Sequence, residues 1–226
     1  LLSRQAKKDM IYRLISNIEI TRDKNFNIDI KNIKFTDEFI TKSSKDYLRY
    51  LNKIIVNNNI GIKYAIDHDA DYIMLLNNDT EIDKSLIGAL VNKTNETTVC
   101  VPKIYYYDRP DYLWYAGGKI DWLHGRAIHL GQDERDSEKY SREFKVTMLS
   151  GCCFMISIDT IKKVGLLDEA YFMYYEDVDY SLRLKEKEIK IQYVPNAKLW
   201  HKVGSSVGKR SKVTEYYGNR NRFYLL

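Results

Sequence analysis

Three short segments of this sequence carry side chains that could bind a cation or move a proton. Asn77, Asn78 and Asp79 directly follow the apolar run YIMLL, and three acids lie among residues 176–179 after a run of aromatic residues. The third segment is LWHK, which contains His201. Carboxylates bind hard divalent cations, imidazoles bind transition metals, and a carboxylate in apolar surroundings can act as a general base.

Each of these segments also has an ordinary structural interpretation. Asn, Asp and Thr favour turns, and Asp79 or Thr80 could cap a following helix. Acids in the first turn of a helix interact favourably with the helix dipole, by about 0.3–1 kcal/mol each. A single histidine is usually structural or exposed. The residue types alone therefore leave both interpretations open.

Composition limits the class of protein. The chain has 226 residues, enough for one α/β domain with a sizeable core or for two small domains. It is 44% hydrophobic and 30% charged, which is typical of a folded soluble protein. The net charge is +5 and the basic residues are scattered, so no nucleic-acid partner is predicted. An anionic small substrate or a membrane surface remains compatible with this charge.

Cysteine content and hydropathy bear on location. Cys100, Cys152 and Cys153 show no C-x-x-C spacing, so we expect neither a zinc site nor a disulfide scaffold, and a reducing compartment fits best. No apolar run reaches the ~18 residues that a membrane span needs. We therefore expect a cytoplasmic protein, with the inner face of the membrane as an alternative site of action. The chain begins at Leu1 rather than Met, which suggests a piece of a longer protein; the oligomeric state is left open.

Strand and helix patterns alternate along the chain, which predicts an α/β fold with a mostly parallel sheet flanked by helices. Helices are predicted at residues 43–54, 60–68, 85–93, 159–165, 177–188 and 212–226, and strands at 27–35, 72–76, 98–107, 144–158 (two strands hinged on Gly151), 189–195 and 197–201. Asp159 is the predicted N-cap of its helix and Gly165 its end.

The predicted elements place the candidate residues where ligands are commonly bound. In open parallel sheets, ligands lie beyond the carboxyl ends of the strands, which is where Asp79 falls. One carboxylate oxygen there could hold a cation whose other positions are filled by phosphate oxygens and water. At Glu176 and Asp177, aromatic surroundings and a like-charged neighbour would raise a carboxyl pKa, as suits a general base.

Taken in order, these motifs resemble the family 2 glycosyltransferases, and in particular the bacterial rhamnosyltransferase-like branch that builds cell-surface polysaccharide. The resemblance runs from about residue 57 to about residue 222. It is carried by NNDT at 77–80, WYAGGKID at 114–121, the segment from SGCCF to SLRLK at 150–185, and YVPNAKLWHKVGSS at 193–206.

The resemblance implies a GT-A fold and a reaction. Residues 1–56 would be a diverged or incomplete N-terminal part of the nucleotide-binding half, and residues 57–226 the GT-A core, with the acceptor-binding and catalytic half from about residue 103. The family transfers a sugar, with inversion, from a nucleotide-diphosphate donor such as a UDP- or dTDP-linked sugar. The acceptor would be a cell-surface polysaccharide or another glycan, and Mg²⁺ or Mn²⁺ would assist.

The resemblance also implies roles on the donor side. NNDT is this chain's version of the D-x-D metal motif, so Asp79 would coordinate the cation. Asn77 stands where many members have an aspartate near the donor ribose, and Asn78 belongs to the same donor-binding turn. His201, in the WH motif, would be a second protein ligand of the metal.

On the acceptor side, Asp177 would be the base, with Glu176 and Asp179 supporting it or contacting the acceptor. Gly151 would let the backbone approach a ligand closely, although a plain strand kink explains it equally well. Trp114 could stack on a sugar ring or pack as an ordinary aromatic residue. Two arginines near the C-terminus, Arg220 and Arg222, would meet the diphosphate or a membrane surface, or lie on a solvated helix face.

The N-terminal region departs from the family pattern. Members normally open with a strand of the type VSIIIVTYN and a second strand ending in VDNxSxD, which hold the nucleobase and ribose. Residues 1–40 contain no such strand, and TKSSKDYLRYL at 41–51 is only a faint counterpart of the second. Two hypotheses follow: a glycosyltransferase, or a catalytically silent relative or fragment that serves as a carbohydrate-binding or assembly module. A nucleotidyltransferase is a poorer third, since it would need more acidic metal ligands.

Overall fold

The computed structural model describes residues 17–22, 28–31, 54–121, 123–124, 126–171, 173–203 and 212–225. Within them the strands are β1 (Asn17–Arg22), β2 (Ile28–Lys31), β3 (Tyr72–Leu76), β4 (Thr80–Ile82), β5 (Thr98–Tyr106), β6 (Leu113–Tyr115), β7 (Gly118–Asp121), β8 (Arg126–His129), β9 (Phe144–Val146), β10 (Cys153–Ser157) and β11 (Lys190–His201). The α-helices are α1 (Ile54–Asp67), α2 (Leu86–Val91), α3 (Ile158–Val164), α4 (Glu176–Glu186) and α5 (Lys212–Leu225). Most of the predicted helix at 43–54 lies outside the described residues.

The α/β class is confirmed, but the expectation of a mostly parallel sheet is wrong. The main sheet has the order β2-β1-β3-β10-β5-β11-β4, with β6 added beside β5 and β9 beside β11. Among the pairings of the described strands, β11 with β5 is the parallel one, and the others are antiparallel. The apolar run YIMLL of β3 suggests a strand buried on both faces, as in the middle of a parallel sheet. A central antiparallel strand buried on both faces has the same pattern, and β3 lies between antiparallel β1 and β10.

Two helices show how closely local patterns predict structure. In α2, Leu86, Leu90 and Val91 are buried as the helical period predicts. In α3 the predicted end is confirmed, because Gly165 adopts a φ of 90° that suits glycine. The predicted N-cap was wrong by two positions: the Ser157 side chain, not that of Asp159, accepts the hydrogen bond from the Thr160 N–H.

The two predicted strands at 189–195 and 197–201 are one continuous strand. The register of β11 against β5 shifts between Val194 and Lys198, which spans Pro195 and Asn196. Proline cannot donate to a ladder and is accommodated at such irregularities. His201 lies at the end of this continuous strand, where β11 pairs with β4.

Two further expectations concern cysteines and membrane spans. All three cysteines are free and buried. None of the helices in the described ranges combines the length and the hydropathy that crossing a bilayer requires.

Candidate active site

The strand pairing brings Asp79 beside His201. Asp79 lies in the turn between β3 and β4, and the β4–β11 register sets Thr80 opposite His201. The backbone is fixed further by the Lys202 N–H, which donates to the Asp79 carbonyl at 2.8 Å. As a result Asp79 Oδ1 is 3.2 Å from His201 Nε2, and both side chains are largely buried.

These two side chains fit a divalent cation. Two neighbouring ligands held at ~2.1 Å from one octahedral cation are roughly 3 Å apart, which is close to the 3.2 Å between Asp79 and His201. The other ring nitrogen of His201, Nδ1, is buried without a hydrogen-bond partner in the described chain. Within the same residues no group of three or more His, Cys, Asp or Glu side chains is arranged to bind a metal. A bound molecule or water could supply further ligands.

The two asparagines of the turn differ in what they contact. The Asn77 N–H donates to the Cys152 carbonyl at 2.8 Å, and its own carbonyl accepts from the Thr80 hydroxyl at 2.6 Å. Asn78 Nδ2 is buried and finds no acceptor among the described residues. A buried donor left without a partner costs about 1–3 kcal/mol, so Asn78 is suited to donate to a bound ligand.

Asp177 is held at the start of α4 by the loop before β10. Its Oδ2 accepts from the Gly151 N–H at 3.1 Å and its Oδ1 from the Val178 N–H at 2.9 Å. Ser181 locks this turn in place, because its hydroxyl donates to the Asp177 carbonyl at 2.6 Å and accepts from the Leu149 N–H at 3.1 Å. Burial raises the pKa of Asp177, while the hydrogen bond from Gly151 acts in the opposite direction.

Glu176 shares the same space. Its Oε1 would lie 3.2 Å from a Cβ built on Gly151, and its Oε2 is buried without a hydrogen-bond partner in the described chain. Burial, followed by the neighbouring charge of Asp177, raises the pKa of Glu176 to about 8. Near neutral pH Glu176 therefore carries a proton, and Asp177, which accepts two backbone N–H hydrogen bonds, is the member of the pair better suited to ionise and accept a proton.

Asp179 faces a different set of residues from Asp177. Its Oδ2 accepts from Arg183 Nε at 2.8 Å, one turn further along α4. The same guanidinium donates to the carbonyls of Val164 and Leu166, so the pair ties α4 to the end of α3. The acceptor-contacting role of Asp179 stays a prediction, and the structure gives its carboxylate an ion pair within α4 to Arg183, whose guanidinium also binds the end of α3.

A column of aromatic rings joins the two halves of the site. Trp114 packs edge-to-face against both His201 and His129, with ring centroids 4.6 Å apart in each case. His129 Nδ1 lies 3.3 Å from the Trp114 carbonyl, and the ring also meets Tyr115 edge-to-face at 5.1 Å. Trp114 therefore packs against His201 beside the candidate metal ligands, and its role as a sugar platform stays a prediction.

Sequence reasoning missed His129. Burial lowers its pKa and the nearby charge of Asp177 opposes that effect, so the imidazole is close enough to the candidate base to feel its charge. The sequence offered one signal, a lone histidine in the short strand RAIH that follows the WYAGGKID motif. What it could not show is the pairing of β8 with β7, which sets His129 opposite Gly118.

The structure therefore brings together most of the predicted residues. Asp79, His201 and Trp114 form one side, and Gly151, Glu176 and Asp177 form the other. The link between Asn77 and Cys152 connects them, because Cys152 directly follows Gly151. One side can bind a cation and an anionic ligand, and the other can accept a proton from a hydroxyl group.

With this geometry established, the comparison with known families is decisive. The model described as "Glycosyltransferase like family 2" matches residues 44–224, and the chain belongs to this family. Its relatives include rhamnosyltransferases, in agreement with the branch that the motifs indicate.

Three comparisons illustrate the likeness. The chain is 28% identical over 178 residues to the dTDP-rhamnosyl transferase RfbF of Shigella flexneri, covering 74% of this chain and 57% of that protein. It is 22% identical over 205 residues to the rhamnosyltransferase WbbL of Escherichia coli K12, covering 83% and 76%. A crystal structure of GalNAc-T7 with UDP, GalNAc and Mn²⁺ matches with a TM-score of 0.51 at 18% identity, over 74% of this chain and 36% of that one, which confirms the GT-A-type fold.

The chain is shorter than its relatives. It spans 57% of the Shigella protein and 43% of the low-salt glycan biosynthesis hexosyltransferase Agl10 of Haloferax volcanii, to which it is 27% identical over 146 residues.

Proposed function

We propose that this chain is the catalytic part of an inverting, metal-dependent glycosyltransferase. It moves a sugar from a nucleotide-diphosphate donor, UDP- or dTDP-linked, to a hydroxyl of a cell-surface polysaccharide or other glycan. The observation that carries the proposal is the meeting of two chemically distinct pairs: Asp79 with His201 at 3.2 Å, and Glu176 with Asp177 around Gly151.

Asp79 and His201 are the residues that would hold Mg²⁺ or Mn²⁺. Bound there, the cation would supply Lewis-acid neutralisation of the charge that develops on the departing diphosphate. Asn78 would donate its unpaired buried amide to the donor, and Asn77 would position the turn through its link to Cys152.

Asp177 would act as the base. The acceptor hydroxyl gives its proton to the Asp177 carboxylate while its oxygen forms a bond to the anomeric carbon. The bond from that carbon to the diphosphate oxygen breaks on the opposite face, and the nucleoside diphosphate leaves. This order of events inverts the anomeric configuration. Glu176, protonated, would donate a hydrogen bond to the acceptor beside Asp177, and Trp114 would line the sugar site.

The relatives support the choice of donor. One is named a dTDP-rhamnosyl transferase, and the solved GT-A structure was obtained with UDP and Mn²⁺. We propose dTDP- and UDP-linked sugars as the first donors to test, with action in the cytoplasm or at the inner face of the membrane. The division at residue 56 and the acceptor-binding half from about residue 103 belong to the same proposal.

A second candidate function is a catalytically silent carbohydrate-binding module. The observation in its favour is that the family match covers residues 44–224 and leaves out the first 43 residues, in which the sequence shows no counterpart of the family's opening strand.

A turnover experiment separates the two functions. The chain is incubated with dTDP-rhamnose or UDP-sugars, Mn²⁺ and candidate glycan acceptors, and the nucleoside diphosphate released is measured for wild type and Asp177→Asn. A transferase releases nucleotide only with acceptor and loses release in the variant, and its product has the opposite anomeric configuration to the donor. A silent module releases none in either form while it still binds glycan.

A further inference from the structure

The helix α5 carries three polar residues that reach back to the loops around the site. Arg220 donates to the Ala170 carbonyl at 2.8 Å, and Arg222 donates to the His124 carbonyl. Asn221, between them, is fully buried. The sequence left open whether Arg220 and Arg222 lie on a solvated helix face. In the structure both donate hydrogen bonds to backbone carbonyls.

Asn221 makes the contacts closest to the candidate base. Its Nδ2 donates to the carbonyls of Met173 and Tyr174 at 2.7 and 2.8 Å, using both amide hydrogens. These carbonyls lie three and two positions before Glu176 in the chain. One side chain thus holds two successive peptide groups of the loop from which α4 begins.

The loop that Asn221 holds has an unfavourable backbone conformation. Tyr174 and Tyr175 have φ values of 67° and 72°, in the left-handed region that large L-residues seldom adopt. Tyr175 is also the N-cap of α4 and makes no side-chain cap hydrogen bond. Such a conformation persists only where surrounding contacts impose it, and the two hydrogen bonds from Asn221 are contacts of that kind.

We propose that Asn221 is a positioning residue for the reaction: by holding the 173–175 loop in its left-handed conformation, it fixes where α4 begins and so where Glu176 and Asp177 point. It touches neither donor nor acceptor. Arg220 and Arg222 secure α5 on the flanking loops through their hydrogen bonds to the carbonyls of Ala170 and His124.

The proposal makes the loop and the turnover depend on Asn221 in a specific way. A displacement of reacting groups by ~1 Å can cost about 10²-fold in rate, so loss of the clamp should lower kcat. The KM for the nucleotide sugar should change less than twofold, because Asp79 and His201 lie on other elements. If Asn221 were needed only for general stability, its substitution would lower the melting temperature without lowering kcat more than it changes KM.

The test compares Asn221→Ala with Asn219→Ala, which removes an exposed asparagine from the same helix. Hydrogen–deuterium exchange of the peptide covering 173–179 is measured first, and the nucleotide-release assay with Mn²⁺ second. We expect exchange at least tenfold faster and kcat at least tenfold lower in Asn221→Ala, with Asn219→Ala like wild type. Should Asn221→Ala fail to fold, Asn221→Gln, which keeps the amide on a longer side chain, should show the same split with a smaller loss.

Unchanged exchange at 173–179, or faster exchange with an unchanged kcat, would overturn the proposal. The proposal depends on the proposed function only for the second measurement. A wild-type chain without turnover would refute the transferase, and the exchange comparison would still decide whether Asn221 holds the loop.

Discussion

The backbone N–H of Gly151 donates to Asp177 Oδ2 at 3.1 Å, so the loop before β10 directly contacts the candidate base. A Cβ at Gly151 would lie 3.2 Å from Glu176 Oε1 and 3.6 Å from Asp177 Oδ2. Because Gly151 has no side chain, the carboxyl groups of Glu176 and Asp177 can both lie close to its backbone.

Gly151→Ala should impair catalysis without unfolding the chain. The new methyl group would press on the Glu176 carboxyl and shift Asp177, and small displacements of a base are costly, so kcat should fall by about tenfold or more. Gly88→Ala is the matched control, because nothing lies within 4 Å of a Cβ built there. Full turnover by Gly151→Ala would show that the spacing at this glycine is not needed.

Asp177→Asn should remove the base and leave the donor site intact. Loss of a general base costs typically about 10²–10⁴-fold in rate, and the amide keeps the shape of the side chain. We expect kcat to fall in that range while the affinity for nucleoside diphosphate with Mn²⁺ is retained. Asp159→Asn, at an exposed acid on α3, is the control. A near-normal kcat in Asp177→Asn would mean that another group acts as the base.

Glu176→Gln should stabilise the fold at alkaline pH. The folded-state pKa of Glu176 is raised from 4.5 to about 8, so between these values the folded chain holds a proton that the unfolded chain has released. Stability therefore falls as pH rises through this window, and the deficit is complete above pH ~8. Gln carries no charge and avoids the deficit.

Thermal unfolding at several pH values measures this effect. The melting temperature of Glu176→Gln should exceed that of wild type at pH 9, by about 2–4 °C for each kcal/mol recovered, and the difference should shrink towards pH 4.5. A difference that is the same at every pH would mean that the effect of the substitution does not come from the charge of Glu176.

Asp179→Asn should weaken the fold more than the binding of acceptor. It removes the carboxylate that pairs with Arg183 in a partly buried setting, at a cost of about 1–3 kcal/mol. The melting temperature should fall, whereas the KM for the glycan acceptor should stay within twofold of wild type. A large rise in that KM with an unchanged melting temperature would instead support the acceptor-contacting role that the resemblance implies.

Local patterns predicted the chemistry-bearing segments better than the sheet that holds them. The helical period placed Leu86 and Leu90 in the core, and the family motifs named Asp79, Asp177 and His201 before any contact was known. Strand direction was mispredicted because burial on both faces of β3 looks the same in parallel and antiparallel sheets. The roles of Asn221 and His129 were not predicted because each depends on residues distant in the sequence. Asn221 contacts Met173, 48 positions away, and His129 is brought near Asp177 by the pairing of β8 with β7.

The most direct test of the central claim is titration calorimetry of UDP and dTDP, with and without Mn²⁺, on wild type, Asp79→Ala and Glu81→Ala. Glu81 is an exposed acid two positions from Asp79 and serves as the matched control. The account predicts Mn²⁺-dependent binding of at least one nucleotide, lost in Asp79→Ala and kept in Glu81→Ala. A folded wild-type chain that binds neither nucleotide, or binds equally well without Asp79, would contradict it.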